Sequence, residues 1–363
     1  MGTAMVPCAP LSRLFARLPS HHAWRHPAWV TLLVVLGLGL ASCGEPRDPM
    51  LEVSGPTMGT FYSVKVARPP AELTAHALQQ TVDTVLDEVI AEISTYDPTS
   101  ELSRLNVNPT TDWVPLSPDL LTVIDEGQRI SHLSGGAFDI TVGPLVNLWG
   151  FGPEHRPDAV PDPAAIAAAR ERVGYEKLSL RADPPAIRKT RGDIYIDLSA
   201  LGEGYGAARV ATALEARGVT DYMVAIAGAI RVRGRNPKGT PWVIAIEEPT
   251  PGRRSVHRII EISDGALSTS GDYRNFFEEG GQRYSHEIDP KTGRPVAQSL
   301  ASVTVIDDDA TRADGLATAL MVMGEDEGPA LAEAQLIPAY FIIREDEGFR
   351  VVVTPSFQRY LRE

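Results

Sequence analysis

Between Leu78 and Ile93 the apolar residues Leu78, Val82, Val85, Leu86, Val89, Ile90 and Ile93 recur at three- and four-residue steps. That spacing predicts an amphipathic helix over 71–93, opened after the chain-breaking pair Pro69-Pro70. Ser117-Pro118 and Asp162-Pro163 each put an N-cap side chain before a proline at the first helical position. The helices they open are expected to stop at Gly135-Gly136 and at Gly174. Three more helices are predicted over 204–217, 312–323 and 329–334. Short apolar runs predict strands at 60–66, 177–180, 193–198, 222–227, 242–247, 259–262, 303–306, 339–343 and 349–353. Segments 268–275 and 283–293 read together as a hairpin with polar ends. Strand runs interrupted by isolated helices predict an α+β fold rather than strict βαβ alternation. The best candidate for a boundary between lobes is 153–163, rich in proline.

The N-terminal pattern differs from all of this. Residues 1–42 hold Arg13, Arg17 and Arg25 but no acid, and the uncharged stretch 28–42 ends at Cys43. That stretch is short of the about 20 residues a bilayer-spanning helix needs. A basic region, an apolar region and small residues before a cut describe a secretory signal. Leu40-Ala41-Ser42-Cys43 is similar to a bacterial lipobox, in which the cysteine is lipidated and the peptide is cut just before it. The pattern predicts a lipoprotein signal peptide over 1–42, a lipidated Cys43 with a tether over 43–52 and a folded domain over 53–363, the alternative being an ordinary signal anchor with an incidental cysteine. Localisation follows as the cell envelope, anchored by lipid and facing the periplasm, with Gly44 favouring the outer over the inner membrane.

Composition narrows the chemistry. The net charge of −13 over 363 residues argues against a nucleic-acid partner that depends on phosphate neutralisation. Loss of the signal removes three cations and no anion, moving the charge to −16, so lipid rather than a basic patch would hold the protein at a membrane. Cys8 leaves with the signal and Cys43 takes lipid. No thiol then remains for a disulfide, a thiolate metal site or thiol catalysis.

Four segments carry candidate chemistry. In 311–320, Asp314 and Thr318 lie one helical turn apart and offer hard oxygen ligands for Mg2+. The same pair also suits a helix start, with the acid complementing the dipole. Segment 193–206 runs a strand into a glycine-punctuated turn and a helix start, a geometry suited to phosphate. Tyr205 stands where a phosphate loop needs Lys followed by Ser or Thr, which excludes that motif. Segment 134–152, dense in glycine and aromatics, permits close backbone approach to a flat ligand or forms a turn-rich core. His286 lies among Ser285, Glu287 and Asp289, where a carboxylate can orient the ring as a base.

Taken in order, Met58-Gly-Thr60, 94–106, 134–152, 193–206, 268–293 and the Asp314 segment resemble the FAD:protein FMN transferase (ApbE) family over roughly residues 53–325. The resemblance implies a fold of mixed or antiparallel sheets with packed helices, in two lobes around a flavin cleft. It implies FAD as substrate, touched by Met58, Tyr96, the Ala137-Phe138-Asp139 turn, Asp197, Glu203 and Ile288. It implies Mg2+ held by the Ala200 carbonyl, Asp314 and Thr318, with His286 as the base. The implied reaction transfers FMN to a Thr or Ser hydroxyl of an acceptor flavoprotein, such as a subunit of a membrane redox complex, and releases AMP. Hydrolysis of FAD to FMN and AMP, or flavin binding without catalysis, are the alternatives. Three positions depart from the family pattern: Glu203 where many members carry Lys, the Ala225–Ala229 block, and Ala317 where some supply a further metal carboxylate.

Overall fold

Eight strands form the main sheet: β1 (Met50–Thr57), β2 (Thr60–Ala67), β3 (Tyr222–Ile226), β4 (Ala229–Arg233), β5 (Asp264–Gly271), β6 (Leu300–Asp307), β7 (Ala339–Arg344) and β8 (Phe349–Val353). Spatial order equals sequence order, and every neighbouring pair is antiparallel. The sheet is thus a meander into whose connections helices and small hairpins are inserted, an α+β arrangement as expected. The computed structural model describes residues 50–154, 159–250, 252, 255–297 and 299–362.

The helices are α1 (Ala75–Ile93), α2 (Glu101–Val107), α3 (Pro118–Leu133), α4 (Gly143–Leu148), α5 (Pro163–Arg170), α6 (Ser199–Ala216) and α7 (Ala310–Ala334), and α1, α6 and α7 cover one face of the sheet. The N-cap reading holds in detail. The Ser117 hydroxyl accepts from Leu120 N and the Asp162 carboxylate from Ala164 N, each followed by proline. Helix α1 buries Leu78, Val82, Leu86, Val89 and Ile93 along one stripe. Burial of such side chains contributes about 1.5–3 kcal/mol each. The opposite face is covered by the hairpin Trp242–Glu247 with Val256–Ile262, which lays Trp242, Ile244, Ile246, Ile260 and Ile262 over Leu267, Ile306, Tyr340 and Ile342. Covering on both sides explains why β6 and β7 are buried along almost their whole length.

Several expectations are corrected. The 193–198 segment forms no strand. Its backbone is satisfied by Asn106, whose side chain bonds both ways to Ile196, and by Asp197 N donating to the Ile140 carbonyl. Helix α6 begins at Ser199 rather than Gly204, because its glycines serve packing. A Cβ at Gly204 would lie 2.1 Å from the Ala310 carbonyl oxygen, so only glycine lets α6 and α7 approach this closely. The predicted 312–323 and 329–334 helices are both present, as the two halves of Ala310–Ala334 that meet at a kink at Gly324, where φ is 85° and ψ −171°.

Residues 50–52, assigned to the tether, already belong to β1. The polar-ended hairpin is smaller than predicted: Phe276–Glu279 pairs with Gln282–Ser285, while 268–271 belongs to the main sheet. Segment 153–163 is no lobe boundary. Leu145 and Trp149 before it share one core with Ile166, Ala169 and Val173 after it, and the described residues form a single unit.

Candidate active site

Two hairpin turns at one end of the sheet hold non-glycine residues in the left-handed region: Met58 at φ 47° between β1 and β2, and Ala227 at φ 44° between β3 and β4. Both residues line a cleft of about 1260 Å³. All twelve cleft residues proposed from sequence line it too: Met58, Tyr96, Ala137, Phe138, Asp139, Asp197, Ala200, Glu203, His286, Ile288, Asp314 and Thr318. They come from six separate chain segments. Cys43 lies outside the described residues.

The deepest corner is built by facing α7 onto β5. Strand period puts Ser268 and Ser270 on the helix side, and helical period puts Asp314 and Thr318 one turn apart. The two periods meet. Ser268 Oγ donates to Asp314 Oδ1 at 2.7 Å, Gly204 N donates to Asp314 Oδ2 at 2.8 Å, and Ser270 Oγ lies 3.1 Å from Thr318 Oγ1. Gly204 N is the donor that a regular helix directs at the Ala200 carbonyl, so that carbonyl shares or loses its helical partner to Asp314. Glu203 Oε2 accepts from Gly228 N at 3.0 Å, which ties the β3–β4 turn into the same corner.

Electrostatics single this corner out. Asp314 is buried, and desolvation, with Glu203 and then Glu287 repelling it, pushes its carboxyl up to about 8. Desolvation likewise raises Glu203 and the buried Glu287. Buried carboxylates this close stay ionised only beside a cation. No group of three or more His, Cys, Asp or Glu side chains with metal-binding geometry occurs among the described residues. A site here rests instead on one carboxylate with hydroxyl and carbonyl oxygens, the hard, incomplete donor set that Mg2+ completes with water and phosphate. The residues therefore fit the metal. Ala317, by contrast, is buried in the core and does not line the cleft.

His286 occupies the other end, with about 36% of its side chain exposed. The Asn275 carbonyl accepts from His286 N at 3.1 Å and faces Nδ1 at 3.2 Å. With the proton placed on Nδ1, this contact leaves Nε2 as a proton acceptor. The orienting group is thus a carbonyl, not the carboxylate expected. Asp289 instead closes its own turn by accepting from Lys291 N and Thr292 N, and Ser285 Oγ is buried without a partner. Glu287 Oε1 is 3.7 Å from His286 Nε2.

Two further expectations are refined. Asp139 accepts from Thr141 N and Oγ1 and from Tyr175 N, so its carboxylate closes the 137–141 turn and leaves the backbone to face the cleft. Asp197 Oδ1 accepts from Ser199 N at the start of α6. Tyr96, largely exposed, reaches the Phe151 carbonyl at 3.3 Å across the cleft lip. Among the residues lining the site, Ser268, Ser270, Gly228 and Arg274 carry no role in the sequence reading. The alternation of Ser268 and Ser270 in a strand was the available signal for two of them.

The profile of the ApbE family matches residues 58–341. This chain belongs to the ApbE family. It is 46% identical over 333 residues to the FAD:protein FMN transferase of Vibrio cholerae (strain O395), covering 92% of this chain and 98% of that protein. Against the FAD:protein FMN transferase of Haemophilus influenzae it is 40% identical, over 90% of this chain and 96% of the other. The structure resembles the flavin transferase ApbE from Vibrio cholerae with a TM-score of 0.81, covering 86% of this chain and 100% of that one at 46% identity. The apo flavinyl transferase ApbE of Pseudomonas stutzeri aligns with a TM-score of 0.79 at 40% identity, over 86% and 97% of the two chains. No helix among the described residues of this ApbE protein is long and apolar enough to cross a membrane.

Proposed function

We propose that the chain is a Mg2+-dependent transferase that moves the FMN half of FAD onto a Thr or Ser hydroxyl of an acceptor flavoprotein and releases AMP. One observation carries this reading: residues from six chain segments, each suited to flavin, metal or proton handling, line one cleft. The printed activity of the relatives supports it.

Met58, Tyr96, the 137–139 backbone, Asp197, Glu203 and Ile288 hold the dinucleotide across the cleft. Asp314, Thr318 and the Ala200 carbonyl would hold Mg2+, which when bound neutralises charge on the diphosphate and the leaving group. His286 Nε2 takes the proton of the acceptor hydroxyl, aided by the Asn275 carbonyl that holds Nδ1–H. The hydroxyl oxygen forms a bond to the FMN-side phosphorus as the bond to the AMP oxygen breaks. Beyond that proton transfer the protein contributes positioning and charge, as in phosphoryl transfer generally. Lipidation at Cys43 would anchor the domain in the envelope, within reach of membrane redox subunits as acceptors.

The test is mass spectrometry of an extracytoplasmic acceptor domain incubated with the signal-less protein, FAD and Mg2+, with EDTA as control. A Mg2+-dependent gain equal to an FMN phosphoester, with AMP in solution, is expected. AMP and free FMN with the acceptor unmodified would mark a hydrolase, and bound FAD without turnover a binding protein. Palmitate labelling that is lost in C43S is the expected result for the anchor.

A further inference from the structure

Seven acidic residues line the described part of the cleft, against one guanidinium, Arg274, and the imidazole of His286. A dinucleotide carries its charge on the diphosphate, so a cleft this acidic repels its ligand unless cations are supplied at that point. Arg274 follows β5 directly. Its guanidinium pairs with Glu247 of the Trp242–Glu247 strand and lies 5.4 Å from the Tyr273 ring centroid. About 54% of its side chain is exposed, and ion pairs of such exposure are weak and readily exchanged. Arg274 lines the same cleft as Glu203 and Asp314. A guanidinium presents paired donors that match phosphate oxygens, and a diphosphate carries more charge than the single Glu247 carboxylate, 23% exposed, that holds the fork.

We propose that Arg274 is the diphosphate ligand of this cleft, held at the rim by Glu247 and transferred to the dinucleotide on entry, so that the site selects phosphorylated flavins over riboflavin. The proposal rests on the reading of the cleft as a flavin-dinucleotide site. It assigns Glu247 an opposing part: the carboxylate competes with the ligand for the same fork.

Isothermal titration of the signal-less chain with FAD, riboflavin and inorganic pyrophosphate, in Mg2+ and in EDTA, separates these roles. R274M is expected to weaken FAD and pyrophosphate binding about ten- to hundredfold while riboflavin changes by less than about twofold. R274K should recover part of the loss, since a point charge remains without the fork. E247Q should tighten FAD by about two- to fivefold, the opposite sign. Unchanged FAD and pyrophosphate affinity in R274M and R274K would overturn the proposal, as would an equal loss for riboflavin or an E247Q defect as large as that of R274M. If FAD fails to bind the wild type while pyrophosphate binds and is lost in R274M, Arg274 stands and the flavin reading falls. If R274M turns over FAD with unaltered affinity, Arg274 falls and the transferase reading stands. If the wild type binds neither ligand, both fall.

Discussion

The two ends of the cleft are built on opposite plans. At one end Asp314 and Ser268 are 6% and 1% exposed, locked between a central strand and the helix packed on it. At the other, His286 follows a four-residue strand of a two-stranded hairpin, with a third of its side chain in solvent and one carbonyl to orient it. A site for a small hard cation gains from rigid, dry surroundings, where charge acts through a low dielectric. A base that must meet a hydroxyl on another protein has to stand where that protein can reach. The contrast assigns fixed electrostatics to the buried end and macromolecular access to the exposed end.

The largest effect should come from the buried end. Asp314→Ala is expected to lower FMN transfer by about a thousandfold or more and to abolish its dependence on Mg2+. Retention of a normal Mg2+ titration in that variant would remove the metal assignment. His286→Ala should cost about 10²- to 10⁴-fold in transfer while FAD affinity, measured by flavin fluorescence, stays within about twofold. A parallel loss of FAD binding would mean that the two ends are not separable.

Ser268→Ala leaves Asp314 in place but removes its 2.7 Å donor. Mg2+ affinity should fall about ten- to hundredfold, read by calorimetry, with the melting curve still cooperative. A separate effect, read away from catalysis, concerns stability of the metal-free protein. The Asp314 carboxyl titrates near 4 when unfolded and is raised to about 8 when folded, so the folded state binds the extra proton between those values. Stability without metal is then fullest at low pH and declines as pH rises from about 4 to 8. Asp314→Asn should remove that slope, raising Tm over wild type by a margin that widens from pH 5 to pH 8 in EDTA. An equal margin at both pH values would show that Asp314 does not retain its proton in the fold.

Much of this site was legible before the fold was known, for reasons that differ by residue. Asp314 and Thr318 share a helix face whatever packs against it, and Ser117-Pro118 and Asp162-Pro163 cap helices through bonds to their own next turn. Such features are local. The 193–198 segment misled because its apolar alternation matches a strand, yet its hydrogen bonds go to Asn106, about ninety residues earlier in the chain. Gly204 falls in the glycine-punctuated segment that predicts a turn, yet what requires glycine there is the carbonyl of Ala310 on a distant helix.

Sequence alone determined the helix starts at Pro118 and Pro163, the α+β class and the residue types available for flavin, metal and proton chemistry. Each follows from local periodicity, capping or composition, which need no knowledge of what a segment packs against. Tertiary structure decided that Ser268 meets Asp314, that a carbonyl rather than a carboxylate orients His286, and that Arg274 faces Glu247 across the cleft mouth. Those pairings join residues whose separation is set by sheet order and helix packing. Close approach between distant segments is a property of the whole packed core, and no local pattern encodes it.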